Sequence, residues 1–125
     1  MRRALAAVPA ALLVWALPAF ACGVCVDDKV AAAYDHAVVT DAIARRHVVV
    51  FAEVRGPGTV EALVRKARTA AGRVRGVERA SVRAAASPAA LSFALDPAVA
   101  TPQVALAAVG RAVPGLQLTL LRVMP

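Results

Sequence analysis

The chain has 125 residues, a formal net charge of +7 at pH 7, and 60% hydrophobic but only 4% aromatic residues. This length suits one small domain. So few aromatic side chains offer little surface for stacking on bases, and we expect no nucleic-acid partner. The basic charge instead indicates a solvated helix face, or a surface that meets anionic lipid or an acidic partner.

The first 21 residues have the pattern of an export signal. Two arginines follow the initial methionine, an apolar run comes next, and AFA (residues 19–21) is a small-x-small cleavage site. Two prolines interrupt the apolar run, whereas a membrane-spanning helix needs about 20 predominantly apolar residues. We therefore expect a cleaved signal peptide at residues 1–21. The protein would then be exported, to the periplasm or to the outer side of a membrane.

Both cysteines of the chain follow this signal directly, in ACGVCVDDK (residues 21–29). Cleavage after Ala21 would make Cys22 the first mature residue, which could then carry lipid and anchor the protein to a membrane. The preceding AFA matches the usual lipidation pattern poorly. Otherwise Cys22 and Cys25 form a Cys-x-x-Cys pair. Such a pair suits binding of a soft metal such as Cu(I), thiol–disulfide exchange, or a structural disulfide in an oxidising compartment.

Residues 26–46 have apolar side chains at helical spacing, which predicts one continuous helix. In such a helix His36 would lie about 16 Å along the axis from Cys25, too far to share a metal ion with it. The other histidine, His47, would lie further still. A zinc site usually has four protein ligands, and these histidines are not expected to supply them.

Six further elements follow, separated by glycine and proline. Strands are predicted where β-branched or alternating apolar residues occur, and helices where apolar residues recur at helical spacing. Thr59 and Thr101 are the expected helix N-caps. The predicted elements are strand 47–54, helix 59–74, strand 77–85, strand 90–96, helix 102–113 and strand 116–123. This β-α-β-β-α-β order predicts an α+β, ferredoxin-like fold, with two helices on one face of a four-stranded antiparallel sheet.

Alternation within the strands predicts two apolar faces on this sheet. The first face, suited to lie under the two helices, carries Val48, Val50, Leu91, Phe93, Leu95, Leu116, Leu118 and Leu120. The second face carries Val49, Phe51, Ala94, Thr119, Leu121 and Val123. This second face is too apolar to stand bare in water. We expect helix 26–46 to cover it, and a homodimer is the competing expectation.

The stretch RGVERASVRAAASPAALSFALDPAVATPQVALAAVGRAV (residues 75–113) resembles a known family. The matching positions are Gly76, Val77, Ala80, Val82, Asp96, Pro97, Thr101 and Pro102. Through them, residues 47–125 resemble the heavy-metal-associated domain of copper chaperones and metal-pumping ATPases. The resemblance implies soft-metal binding by two cysteines in the loop after the first strand. Here that loop is RGPGT (residues 55–59), without cysteine, histidine or methionine, so the family's site cannot be transferred to it.

These features predict a non-enzymatic exported protein in three parts: residues 1–21, the Cys-x-x-Cys segment with its helix at 22–46, and the domain at 47–125. The leading hypothesis is binding or handling of Cu(I) or Zn(II) by Cys22 and Cys25, with a metal-transport protein as partner. The alternative is a non-catalytic interaction module or a lipoprotein whose cysteines are structural or lipidated. Thiol–disulfide exchange is a third hypothesis.

Overall fold

The computed structural model describes residues 25–125. The predicted signal peptide and Cys22 therefore lie outside the described residues. In chain order the elements are α1 (Val26–Ala32), α2 (His36–Ala44), β1 (Val48–Arg55), α3 (Val60–Ala71), a 3-10 turn (Arg79–Ser81), β2 (Arg83–Ala86), β3 (Ala89–Leu95), α4 (Pro102–Ala112) and β4 (Gln117–Met124). Across the described span, no helix has the length and apolar character needed to cross a membrane.

The four strands form one sheet in the order β2-β3-β1-β4. Every pair of neighbouring strands is antiparallel, which places β1 and β3 in the centre and leaves β2 and β4 as edges. The predicted α+β class with a four-stranded antiparallel sheet is therefore confirmed.

The larger core lies between the first face of the sheet and the helices α3 and α4. Its strand side chains include Val50, Leu91, Phe93 and Leu95, all fully buried. Both helices begin where the threonine caps were predicted. Thr59 Oγ1 accepts a hydrogen bond from the Ala62 N–H at 3.3 Å, and Thr101 Oγ1 accepts one from the Val104 N–H at 3.2 Å. These bonds satisfy N–H groups that have no partner within the helix.

A smaller core lies on the second face, under α1 and α2. Here Val30, Ala33, Val38 and Ala42 pack on Val49, Phe51, Ala90 and Ala94. The expectation that residues 26–46 cover this face is confirmed. Burial of both sheet faces also explains why β1 and β3 have almost continuous apolar sequences.

The prediction of one continuous helix over residues 26–46 is wrong. The helix ends after Ala32, and Asp35 begins a second helix by accepting hydrogen bonds from the N–H groups of Ala37 and Val38, at 2.9 and 3.4 Å. An aspartate side chain bonds the backbone more readily at a helix start than in a helix interior. The sheet fixes the break, because the Ala33 carbonyl accepts a 2.6 Å hydrogen bond from the buried Ser92 hydroxyl.

The predicted strand 77–85 is also wrong over most of its length. Residues 79–81 form a 3-10 turn, and pairing with β3 is continuous only from Arg83 to Ala86. Ser81 explains the interruption. Its Oγ donates to the Glu78 carbonyl at 2.6 Å and accepts from the Ala94 N–H at 2.8 Å. The Ala94 N–H of β3 is therefore bonded by a side chain instead of by a backbone carbonyl of a neighbouring strand.

The prediction that Val123 lies on the second face of the sheet is wrong. Ala52 lies opposite Leu120 whereas Phe51 lies opposite Arg122, which leaves Leu121 as the extra residue of a β-bulge. After this bulge Val123 lies opposite Val50, whose side chain belongs to the first face. Residues directly opposite in an antiparallel pair share a face. Val123 therefore lies on the first face, because strict alternation fails at the bulge.

Candidate functional site

Cys25 is the member of the predicted thiol pair that the structure describes. It is the residue before the first turn of α1, and its side chain is exposed. Its backbone N–H faces the Asp28 Oδ2 at 3.4 Å, and its carbonyl accepts from the Lys29 N–H at 3.2 Å. Cys22, the other predicted ligand, falls in the part of the chain outside the described residues. The exposed thiol of Cys25 is thus placed at a helix end on the surface.

Ion pairs fix α1 across the second face of the sheet. Asp27 Oδ1 lies 2.6 Å from Arg122 Nη2 of β4, and Lys29 Nζ lies 3.1 Å from Glu53 Oε2 of β1. The other end of α1 reaches β3, through the hydrogen bond between Ser92 and the Ala33 carbonyl. The helix therefore crosses from edge strand β4 toward β3. Cys25 begins this helix at the β4 side of the sheet.

Glu53 is the most enclosed acid of this ion-pair cluster, with 14% of its side chain exposed. Burial alone raises the pKa of Glu53, but hydrogen bonds from Arg55 and Lys29, together with their charges, lower it below its ordinary value overall. Arg55 Nε lies 2.7 Å from Glu53 Oε1. Glu53 is therefore held as a carboxylate, and it ties α1 to β1.

The loop at residues 56–59, where the resembling family holds its metal, lies in a different part of the fold. It leads from β1 into α3, which packs on the face of the sheet opposite α1. Pro57 packs closely on the turn before β4, because a Cβ added to Gly115 would come within 2.9 Å of the Pro57 ring. This loop joins β1 to α3, and its sequence supplies no sulfur or imidazole ligand.

The two histidines lie outside α1, one on α2 and one in the connection between α2 and β1. His36 is exposed on α2, with Tyr34 Oη 3.2 Å from its Nδ1, and the half-buried His47 has its Nε2 4.0 Å from Asp96 Oδ2. Because α1 and α2 are separate helices, the distance expected along a single helix axis does not apply to His36. Among residues 25–125, however, no three His, Cys, Asp or Glu side chains group in a way that could hold a metal ion.

A second candidate surface is visible in part from the sequence, and the tertiary structure gives its full extent. Six exposed cations cover the outer side of α3, the segment that follows it and the first residue of the 3-10 turn. We call these six residues the arginine face. They are Arg65, Lys66, Arg68, Arg73, Arg75 and Arg79. The sequence pattern indicated a charged side of the helix around residues 59–75. It did not indicate that Arg79 joins this surface, because that segment was predicted to be a strand.

Comparison of the chain with protein-family models, with curated proteins and with solved structures gave no significant match. The function therefore has to be argued from the two surfaces just described. The beginning of α1 carries an exposed cysteine side chain, and the arginine face carries six exposed cations.

Proposed function

We propose that this is an exported, non-enzymatic protein that binds or hands on a soft metal ion through Cys22 and Cys25. The observation that carries the proposal is the exposed position of Cys25 at the beginning of α1. Cys22 is only three residues away in sequence, and Cys-x-x-Cys spacing suits two thiolates that bind one soft ion. Asp27 and Lys29 tie this end of α1 to the sheet, which supports a fixed position for Cys25 at the surface.

Cu(I) fits this arrangement better than Zn(II). Two thiolates suit Cu(I), which is a soft ion, whereas Zn(II) is usually bound by four ligands in structural sites and by three in catalytic sites. No cluster of three metal-ligating side chains occurs in the described span. A zinc site would consequently need ligands from a second copy or from a partner. A metal-transport protein that donates or accepts the ion is the partner we propose.

We further propose that residues 47–125 form a ferredoxin-like domain related to the heavy-metal-associated family. The β-α-β-β-α-β order, with α3 and α4 on one face of the sheet, supports this assignment. In the proposed scheme the metal site has moved from the loop at 56–59 to the segment before α1. Helices α1 and α2 would be the addition that carries the new site and also covers the second face of the sheet.

Competition for Cu(I) tests the metal site. The reduced mature protein is titrated against a chromogenic Cu(I) chelator, beside Cys22→Ser, Cys25→Ser and the double variant. A His36→Asn/His47→Asn variant serves as the control, because it removes nitrogen donors outside the pair. We expect one Cu(I) per chain, lost in the cysteine variants and kept in the histidine variant. Unchanged Cu(I) binding by the double cysteine variant would refute the proposal.

The mass of the mature amino terminus separates the alternatives. Two alkylatable thiols support the metal site, whereas a diacylglycerol on Cys22 makes the protein a lipoprotein and removes Cys22 as a metal ligand. A mass lower by two hydrogens in protein isolated from its oxidising compartment indicates a structural disulfide. Rapid exchange of that disulfide with small thiols would instead favour an oxidoreductase.

A further inference from the structure

The arginine face is a concentration of charge that the rest of the molecule does not balance. None of its six cations lies within ion-pair distance of a carboxylate in residues 25–125. The cations that do form ion pairs lie elsewhere and are Lys29, Arg45, His47, Arg55, Arg83 and Arg122. Glu61 is the only acid in α3 and α4. This side of the molecule therefore presents a strong positive potential.

The cations surround Arg73, which lies where three shallow grooves meet. The first groove runs between α3 and the end of α4, and Arg65 and Lys66 line it. The second leads toward the beginning of α4, where Val99 and Val104 line it and are 47% and 57% exposed. The third leads toward the 3-10 turn and is lined by further arginines. Positive charge is thus spread over a broad surface that includes two protruding aliphatic side chains.

We propose that the arginine face docks this protein on the surface of an anionic lipid bilayer. A bilayer presents many phosphates in one plane, which matches cations that extend over three grooves better than a single acidic peptide lying in one groove. Arginine pairs with phosphate through two parallel N–H···O bonds. Exposed aliphatic side chains beside clustered cations are the combination that binds the membrane interface, and Val99 and Val104 supply them next to Arg73.

This docking leaves the opposite side of the molecule accessible. Helices α3 and α4 cover the first face of the sheet, whereas α1, with Cys25 at its beginning, packs on the second face. A protein bound through the arginine face would therefore keep the Cys25 end away from the lipid. The inference does not depend on metal binding, and it would hold if the cysteines proved to be structural.

Cosedimentation with vesicles tests the inference. The mature protein, prepared identically for every variant, is mixed with vesicles of phosphatidylglycerol and phosphatidylcholine or of phosphatidylcholine alone. Arg65→Gln/Arg73→Gln removes two charges from the arginine face. Arg45→Gln/Arg55→Gln removes the same net charge from exposed, ion-paired arginines elsewhere. Each cation near a lipid surface strengthens binding about fivefold. We expect about 25-fold weaker binding in the first variant, and little change in the second.

Two further measurements complete the test. Binding should weaken as salt is added, and Val99→Ser/Val104→Ser should weaken it at every salt concentration. Equal binding to phosphatidylcholine alone, or equal loss in both arginine variants, would overturn the inference. Binding of soluble polyglutamate without binding of anionic vesicles would also overturn it, and would assign the arginine face to an acidic protein. Because every substituted side chain is exposed, circular dichroism is expected to be unchanged in all variants.

Discussion

Arg83 Nε of β2 donates a 2.9 Å hydrogen bond to Asp35 Oδ2, and this bond links the break between α1 and α2 to the edge of the sheet. The other oxygen of the same carboxylate caps α2. The hydrogen bond from Arg83, followed by that from the Val38 N–H, holds the pKa of Asp35 below its ordinary value of 3.8. One carboxylate therefore begins α2 and also connects both helices of the second face to β2.

Acid is expected to weaken this connection. Because the pKa of Asp35 is lower in the folded state, its contribution to the free energy of unfolding is fully present above pH 3.8 and is lost as the pH falls through the folded-state value. In Asp35→Asn, the free energy of unfolding should fall less steeply as the pH is lowered, because asparagine still caps a helix but carries no charge. Denaturant unfolding at a series of pH values measures this. Identical acid limbs in the two proteins would contradict the prediction.

The Ser92 hydroxyl is expected to stabilise the second face. Ser92 is 2% exposed, and its hydroxyl is the donor that satisfies the Ala33 carbonyl at the end of α1. Ser92→Ala should lower the free energy of unfolding by about 1–3 kcal/mol, because a buried carbonyl loses its partner. Thr69→Ala, which removes an exposed hydroxyl from α3, should change it by no more than about 0.5 kcal/mol. If Ser92→Ala and Thr69→Ala lowered the free energy of unfolding equally in chemical denaturation, the buried hydrogen bond would not stabilise the fold more than an exposed one.

Gly76 and Gly58 allow the backbone strain of a positive φ angle to be separated from the crowding of an added Cβ atom. Both have positive φ angles, +93° and +88°. A Cβ at Gly76 would come within 3.1 Å of Val99 and 3.3 Å of Leu95, whereas a Cβ at Gly58 would meet nothing within 4 Å. Gly58→Ala should cost about 1–2 kcal/mol through φ alone, and Gly76→Ala should cost more. Thermal unfolding of both variants measures the difference, and a smaller loss at Gly76 would be inconsistent with the crowding.

The Thr101 cap of α4 should contribute a modest, local stabilisation. Its Oγ1 accepts from the Val104 N–H, and Pro102 begins the helix. Thr101→Ala should cost about 1 kcal/mol, whereas Thr101→Ser should be nearly neutral because serine keeps the acceptor. Urea unfolding is the measurement. If serine and alanine at this position were equally destabilising, the loss would have to come from the threonine methyl group rather than from the cap.

The sequence predicted best those features that depend on neighbouring residues. Thr59 and Thr101 are predicted as caps because threonine directly precedes a helical pattern, and their oxygens do accept from N–H groups three residues onward. Three of the four strands were likewise found, whereas the predicted second strand, 77–85, overlaps β2 only at residues 83–85. For the candidate site, the cysteine spacing was visible in the sequence, and so were the arginines of α3. Their arrangement around Arg73 was not, because the grooves there involve residues from α4 and the 3-10 turn.

What the sequence determined by itself is the alternation of helix and strand, the places where α3 and α4 begin, and the need to cover a second apolar face. Only the tertiary structure decided how that cover is built. The helix breaks before Asp35 because Ser92 binds the Ala33 carbonyl on one side of the break and Arg83 binds Asp35 on the other. Val123 changes face because β4 bulges against β1. The physical reason is the same in both cases. Helix periodicity and capping arise from contacts within about four residues of the chain, whereas the partners of Asp35, Ala33 and Val123 are 48, 59 and about 70 residues distant.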